Sequence, residues 1–298
     1  MSFASEVKQE LCKAQIVRKC CAVAECYGIL LFCNTFSADL IRIVTESADF
    51  ASRLSKLFRK AFGFSFDREP DAEAVGKRAF EIWNSEKLNT IFRTYGTNRQ
   101  ELLSLHVNYG MVENDCCRVS FLRGAFLAGG SVTDPEKRYH LELATTHRKV
   151  GAESFALLLD MDMKPKDTER NGSCILYFKQ SNAIEDFLTM LGAPICAMRI
   201  MEAKVEKDLR NDVNRRVNCE TANLTKVVDA AQEQLAAIRK LEARGILQTL
   251  PEKLRETADL RRENPEATLT ELAGLVSPPM SKSAINHRMR KLIELSKG

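Results

Sequence analysis

Near its end the chain sets a short run of hydrogen-bonding and cationic side chains at helical spacing: Ser281, Lys282, Ser283, Asn286, His287, Arg290 and Lys291. At about 100° per residue, Ser283, Asn286, His287, Arg290 and Lys291 share one face of a helix. Ile285, Met289 and Leu292 fall at i, i+4 and i+7 on the opposite face, a seam for burial. Asn286 is of the type that bonds adenine through two hydrogen bonds, and Arg290 of the type that bonds guanine. Ser281 and Ser283, at the helix start, suit phosphate oxygens, aided by exposed N–H groups and the positive end of the dipole. Lys282 is a point charge for phosphate. His287 either touches a base or caps the turn beneath it, and Arg288 points to the side, toward phosphate or Glu294. The chemistry is non-covalent reading of duplex DNA, with no cofactor.

The elements that would position these residues are legible just upstream. Thr268 and Glu271 form a capping box, so a helix starts there. Leu269, Leu272, Ala273 and Val276 give it one apolar stripe. Pro278 and Pro279 cannot continue it, since each lacks an N–H and crowds the preceding turn. A second helix begins at Ser281, which completes the pattern of a helix-turn-helix. Charge points to the same place. Residues 277–298 hold five basic side chains and one acid, while the other 276 residues carry 39 of each sign. The whole excess of +4 therefore lies where counterion release from DNA would use it. The plainer alternative is a solvated basic helix.

A length of 298 residues implies two or three domains, and 45% hydrophobic with 28% charged residues supports a sizeable core. No apolar run approaches the roughly 20 residues of a membrane span. The start, MSFASEVKQELCK, lacks the pattern of a signal peptide, so a cytoplasmic protein is expected. The ten cysteines include no C-x-x-C pair, and the four histidines are scattered. The adjacent pairs Cys20–Cys21 and Cys116–Cys117 are poorly placed to ligate one tetrahedral ion, so neither metal nor other cofactor is expected.

The first two thirds repeat. An offset of 96 residues lays CAVAECYGILLFCN on CRVSFLRGAFLAGG, with Cys21 on Cys117 and Gly28 on Gly124. The same offset lays Ser85–Gly96 on Ser181–Gly192, the serines reading as N-caps and the glycines as C-terminal stops. Between these anchors each half predicts a strand (Asp39–Thr45; Arg138–Thr145), a helix (Ala51–Phe62; Val150–Leu159) and another strand (Arg78–Trp83; Cys174–Lys179). Short strands are also expected at Phe64–Phe66 and near Met163–Lys166. Two such halves make an α+β pseudo-dimer. Gly28 and Gly124, with Ala125 and Ala128, would let two helices approach backbone to backbone.

The segment LRGAFLAGG (Leu122–Gly130) resembles the LAGLIDADG motif of homing endonucleases, and CYGILLFCN (Cys26–Asn34) is its weaker counterpart. The resemblance implies two packed motif helices under a saddle of two sheets. It places the metal-binding acid of each repeat five residues beyond the motif glycine, at Cys33 and Gly129. Neither supplies a hard oxygen ligand. Glu25, Asp134 and Glu142 are near in sequence but off the required position. Together with NRRVNCETAN, LPEKLRETADLRRENPEATLTELA and SKSAINHR, the whole chain resembles the WhiA family. That resemblance implies a DNA-binding transcriptional regulator, linked to cell division and chromosome segregation and, in some lineages, to sporulation. It also implies a protein partner in some lineages, an iron–sulfur regulator of WhiB type, which no residue here identifies.

The resulting division is repeat 1 over 1–105, repeat 2 over 106–203, a helical linker over 204–245 and the helix-turn-helix domain over 246–298. In the linker, Asn223–Ala243 reads as one helix ending at Gly245, either packed on repeat 2 or acting as a spacer. The mixed run around Lys204–Arg216 reads as an ion-paired helix more readily than as a phosphate contact. Two function classes follow: a non-enzymatic regulator whose partner is double-stranded DNA, and a metal-dependent endonuclease, which the missing acids disfavour. The saddle, if released from catalysis, is open to a small effector or a regulatory protein.

Overall fold

A computed structural model describes residues 2–71, 76–99 and 104–298. The chain forms two compact units, one up to Lys207 and one from Asp208 to Gly298. The first opens with α1 (Phe3–Cys12) and then contains both repeats. Repeat 1 runs α2 (Lys19–Phe32), β1 (Thr35–Phe36), β2 (Ile41–Thr45), α3 (Ala48–Phe62), β3 (Arg78–Ile82) and α4 (Ser85–Thr94). Repeat 2 runs α5 (Asp115–Gly129), β4 (Gly130–Val132), β5 (Leu141–Thr145), α6 (Arg148–Asp160), β6 (Lys166–Arg170), β7 (Ser173–Phe178) and α7 (Ser181–Leu191).

The two sheets have one topology. Antiparallel strands lie in the order β1-β2-β3 in the first and β4-β5-β7-β6 in the second. An Arg68–Glu81 bridge lies outside β3 where β6 lies outside β7. Register agrees as well. Ile41 faces Ile82 and Thr45 faces Arg78, while Leu141 faces Phe178 and Thr145 faces Cys174. The repeat offset is thus 100 on one strand and 96 on its neighbour, yet the ladders coincide, because slipping either by one residue would turn its apolar face to water.

Helices α2 and α5 are buried nearly all round, through Ala22, Cys26, Ile29 and Leu30 on one and Phe121, Leu122, Ala125 and Phe126 on the other. The expected glycine crossing is present. A Cβ added to Gly28 would press into the carbonyl of Phe121 and lie 2.8 Å from the Ala125 nitrogen. One added to Gly124 would press into the carbonyl of Glu25 and lie 3.0 Å from the Ile29 nitrogen. The reciprocity is what a pseudo-twofold requires.

Three local expectations change. Ser85 and Ser181 are not N-caps but first helical residues, preceded by Asn84 and Gln180. Asp67 fixes the first of these boundaries: its carboxylate accepts from the Trp83 and Asn84 N–H groups at 2.8 and 2.7 Å. That holds Asn84 extended, and its side chain caps Glu86 and Lys87. Phe64–Phe66 forms no strand; Phe66 turns inward onto Phe58 and Phe80. The strand expected near Met163 begins only at Lys166, after Asp162 takes a left-handed conformation (φ 58°) and sends Met163 into the core.

The second unit is all-helical. The helix expected over Asn223–Ala243 is the end of α8 (Pro194–Ala243), which starts with proline at its first position and meets no further Pro or Gly. Then come α9 (Glu252–Glu263), α10 (Leu269–Leu275) and α11 (Lys282–Lys297). Their core joins Ile238, Leu241, Leu247, Ala258, Leu272, Ala273, Val276, Ile285, Met289 and Leu292. Among the described residues, no helix is long and apolar enough to cross a membrane.

Candidate nucleic-acid interface

The capping box forms as its sequence requires. The Thr268 N–H donates to Glu271 Oε2 at 2.7 Å, and the Glu271 N–H donates to Thr268 Oγ1 at 3.3 Å. Donation from the Thr268 N–H holds the Glu271 carboxyl below the usual carboxylate range. α10 then stops at Leu275, and the two prolines carry the chain across to α11. Arg261, fully buried, fixes the approach to α10. Its guanidinium donates to the carbonyls of Ala267 at 2.6 Å and of Asn264 and Pro265 at 3.3 Å. From sequence alone this is only a charged helix end, since nothing in Arg261–Arg262 distinguishes the buried arginine from the exposed one.

On α11, Ile285, Met289 and Leu292 are buried at 0–1% exposure, which turns the opposite face outward. Lys282, Ser283, His287 and Arg290 are exposed and Asn286 is half-buried. Among the described residues the side chains of these five make no hydrogen bond or ion pair within the protein, so their side-chain donors and acceptors are open to a ligand. Ser281 also serves the fold. It is the N-cap of α11, its Oγ accepting from the Ala284 N–H at 3.2 Å. Arg288 does not pair with Glu294. It packs back onto α9, 3.3 Å from Thr257 Oγ1 and 3.7 Å from Glu256, while Glu294 pairs with Lys291. A side position on α11 is a position against α9, and that contact depends on tertiary packing.

In the first unit the two positions beyond the motif glycines are closed. The Cys33 thiol donates to the carbonyls of Leu30 and Thr35 at 3.2 and 3.3 Å, and burial pushes it up to about 12. Gly129 has no room for a side chain: an added Cβ would strike the Ala144 carbonyl and lie 3.2 Å from Phe32 Cβ.

Two family models match the chain: the WhiA LAGLIDADG-like domain over residues 118–210 and the WhiA C-terminal HTH domain over 213–296. A relative from Ruminiclostridium cellulolyticum, "Probable cell division protein WhiA", is 38% identical over 99% of this chain and 97% of its own length. The chain belongs to the WhiA family. A relative of the same name from Bacillus cereus (strain G9842) is 36% identical over 99% of this chain and 96% of that one. Among solved structures, full-length DUF199/WhiA from Thermatoga maritima matches with a TM-score of 0.61 at 24% identity, covering 100% of this chain and 98% of the other. The N-terminal LAGLIDADG domain of DUF199/WhiA matches with a TM-score of 0.50 at 21% identity, covering 64% and 92%. At these identities the likeness is one of fold, a LAGLIDADG-like region followed by a helix-turn-helix.

Within this WhiA-family fold the three acids nearest those positions in sequence, Glu25, Asp134 and Glu142, are engaged elsewhere. Glu25 is buried on α2 in a two-point contact with Arg53, at 2.5 and 2.8 Å, and lies 3.4 Å from Arg123 of the other repeat. Asp134 accepts from the Glu136 N–H in a turn. Glu142 pairs with Arg170 and His140. Arginines of the sheet region pair in turn: Arg42 and Arg68 with Glu81, Arg148 with Glu169. Among the described residues, Lys282 and Arg290 on α11 have no such carboxylate beside them.

Proposed function

We propose that this chain is a non-enzymatic, DNA-binding transcriptional regulator that reads duplex DNA through residues 246–298. Its setting is cell division and chromosome segregation, with sporulation in lineages that sporulate, and its place is the cytoplasm, on the nucleoid. The observation that carries the reading is the unpaired face of Lys282, Ser283, Asn286, His287 and Arg290 opposite a buried seam. Asn286 and Arg290 are the base readers; Ser281, Lys282 and Ser283 hold phosphate; His287 sits between the two roles. The repeats serve as a scaffold open to a regulatory protein or small effector.

Salt titrations of binding to specific and random duplexes test this. Arg290→Ala should cost about 1–3 kcal/mol at the cognate site and relax the choice of one base pair. Lys282→Ala should weaken all sequences alike and lower the salt slope by about one. Ile285→Asn is the control for folding, since it buries an amide without a partner. Specific binding that survives deletion of 246–298 would assign reading to the repeats instead.

Loss of catalysis is supported by the closed Gly129 position and the capped Cys33 thiol, since metal-assisted hydrolysis needs a carboxylate to hold the ion. The purified protein should leave duplex DNA uncut in magnesium. Nicking that disappears on mutating an acid of the repeats would reverse the conclusion.

A further inference from the structure

The first turns of α2 and α5 each carry an adjacent cysteine pair, Cys20–Cys21 and Cys116–Cys117, and the 96-residue offset lays one pair on the other. Either pair alone is a poor chelate for a tetrahedral ion, which is why spacing argued against a metal. The helix crossing alters the geometry by bringing both pairs to the pseudo-twofold. The sulfurs of Cys20 and Cys21 are 4.0 Å apart, and those of Cys116 and Cys117 are 3.9 Å apart. Across the repeats, the sulfurs of Cys20, Cys21 and Cys116 all lie within 4.8 Å of one another. Cys117 stands outside this set of three but adjoins it through Cys116, its neighbour on α5. All four are free thiols.

The separations within each pair are close to those of a thiolate metal centre. With zinc–sulfur bonds of about 2.3 Å, a tetrahedron has sulfur–sulfur edges of about 3.8 Å. Neither helix start is capped by a side chain, so the orphan N–H groups and positive dipole ends of both α2 and α5 converge there. Arg18 adds a positive charge beside Cys116. A cleft of about 500 Å³, lined in part by Arg18, Cys21, Asp115 and Cys116, leads in from solvent. Sulfur donors select zinc and its softer neighbours over magnesium or calcium.

We propose that Cys20, Cys21, Cys116 and Cys117 form a zinc site that ties the first turn of repeat 1's motif helix to that of repeat 2. Binding releases the thiol protons and couples the ion to the stability of the helix pair. The site is independent of the α11 face and of the closed catalytic positions.

The test uses the full chain purified under reducing conditions, loaded with zinc and dialysed. Elemental analysis should find about one ion per chain. Titration with cobalt(II) should give thiolate-to-metal charge-transfer bands and the strong visible bands of a tetrahedral ion. Cys20→Ser and Cys116→Ser should lose both signals, and zinc should raise the Tm of the parent protein but not of the double variant. Cys219→Ser, in the other compact unit, should keep them. If a serine variant fails to fold, the cobalt spectrum of the parent protein still decides. No zinc retained and no thiolate band would overturn the proposal. So would a cross-repeat disulfide in the isolated protein that, once reduced, takes up no metal.

Discussion

Gly124→Ala is expected to destabilise the first unit by about 3 kcal/mol, at the upper end of what added core volume usually costs. The sign makes the test sharp, because alanine in place of glycine inside an ordinary helix stabilises by about 1 kcal/mol. Here the new methyl group would press on the Glu25 carbonyl and sit 3.0 Å from the Ile29 nitrogen, both backbone atoms that no rotamer change can move. The helices must separate instead, and Ile29, Leu30, Phe121 and Ala125 lose close packing along the crossing. Gly28→Ala should behave alike, since its methyl would press on the Phe121 carbonyl. Gly274→Ala on α10 is the internal control, with nothing within 4 Å of its added Cβ. Urea unfolding followed by circular dichroism should move the midpoints of Gly124→Ala and Gly274→Ala in opposite directions. Midpoints that rise together would mean the crossing is looser than described.

Glu25→Ala should cost about 3–5 kcal/mol, the range for breaking a buried ion pair from one side. It leaves Arg53 buried at 4% exposure without its carboxylate and removes the partner of Arg123. Arg53 keeps only its donations to the Cys12 and Ala14 carbonyls, at 3.0 and 2.6 Å. Adding Arg53→Leu to Glu25→Ala should cost less than the two single losses combined, because the stranded charge is gone. Thermal melts of the four proteins in the cycle measure this. Additive losses would show that the carboxylate and guanidinium act separately.

What could be read from the sequence was what local rules encode. The capping box at Thr268 and Glu271, the proline break and the Ile285–Met289–Leu292 seam are short-range patterns, and each stands in the structure. So do the glycine crossing and the paired strands, which an internal repeat exposes twice. The misses follow from tertiary context. β6 reads KDTER, an exposed edge strand with no apolar alternation to find. The cap at Asn84 depends on Asp67, and Arg288 on α9. Spatial proximity is likewise tertiary: Cys116 comes beside Cys20 and Cys21 only when α5 packs on α2.

An interface made from two copies of one motif invites pairing of like with like. The Glu25–Arg123 contact answers this, because it is not duplicated. At the 96-residue offset Glu25 corresponds to Phe121, and Arg123 to Tyr27. If α2 paired with α2 of a second molecule, each buried carboxylate would meet a tyrosine where an arginine now stands. Two α5 helices together would set each Arg123 against a phenylalanine. Either mismatch gives up the Glu25–Arg123 contact and leaves Glu25 with Arg53 and Arg123 with the Leu191 carbonyl of its own repeat. Across this contact the two halves are unlike partners, a carboxylate on one and a guanidinium on the other, as in a heterodimer folded into one polypeptide.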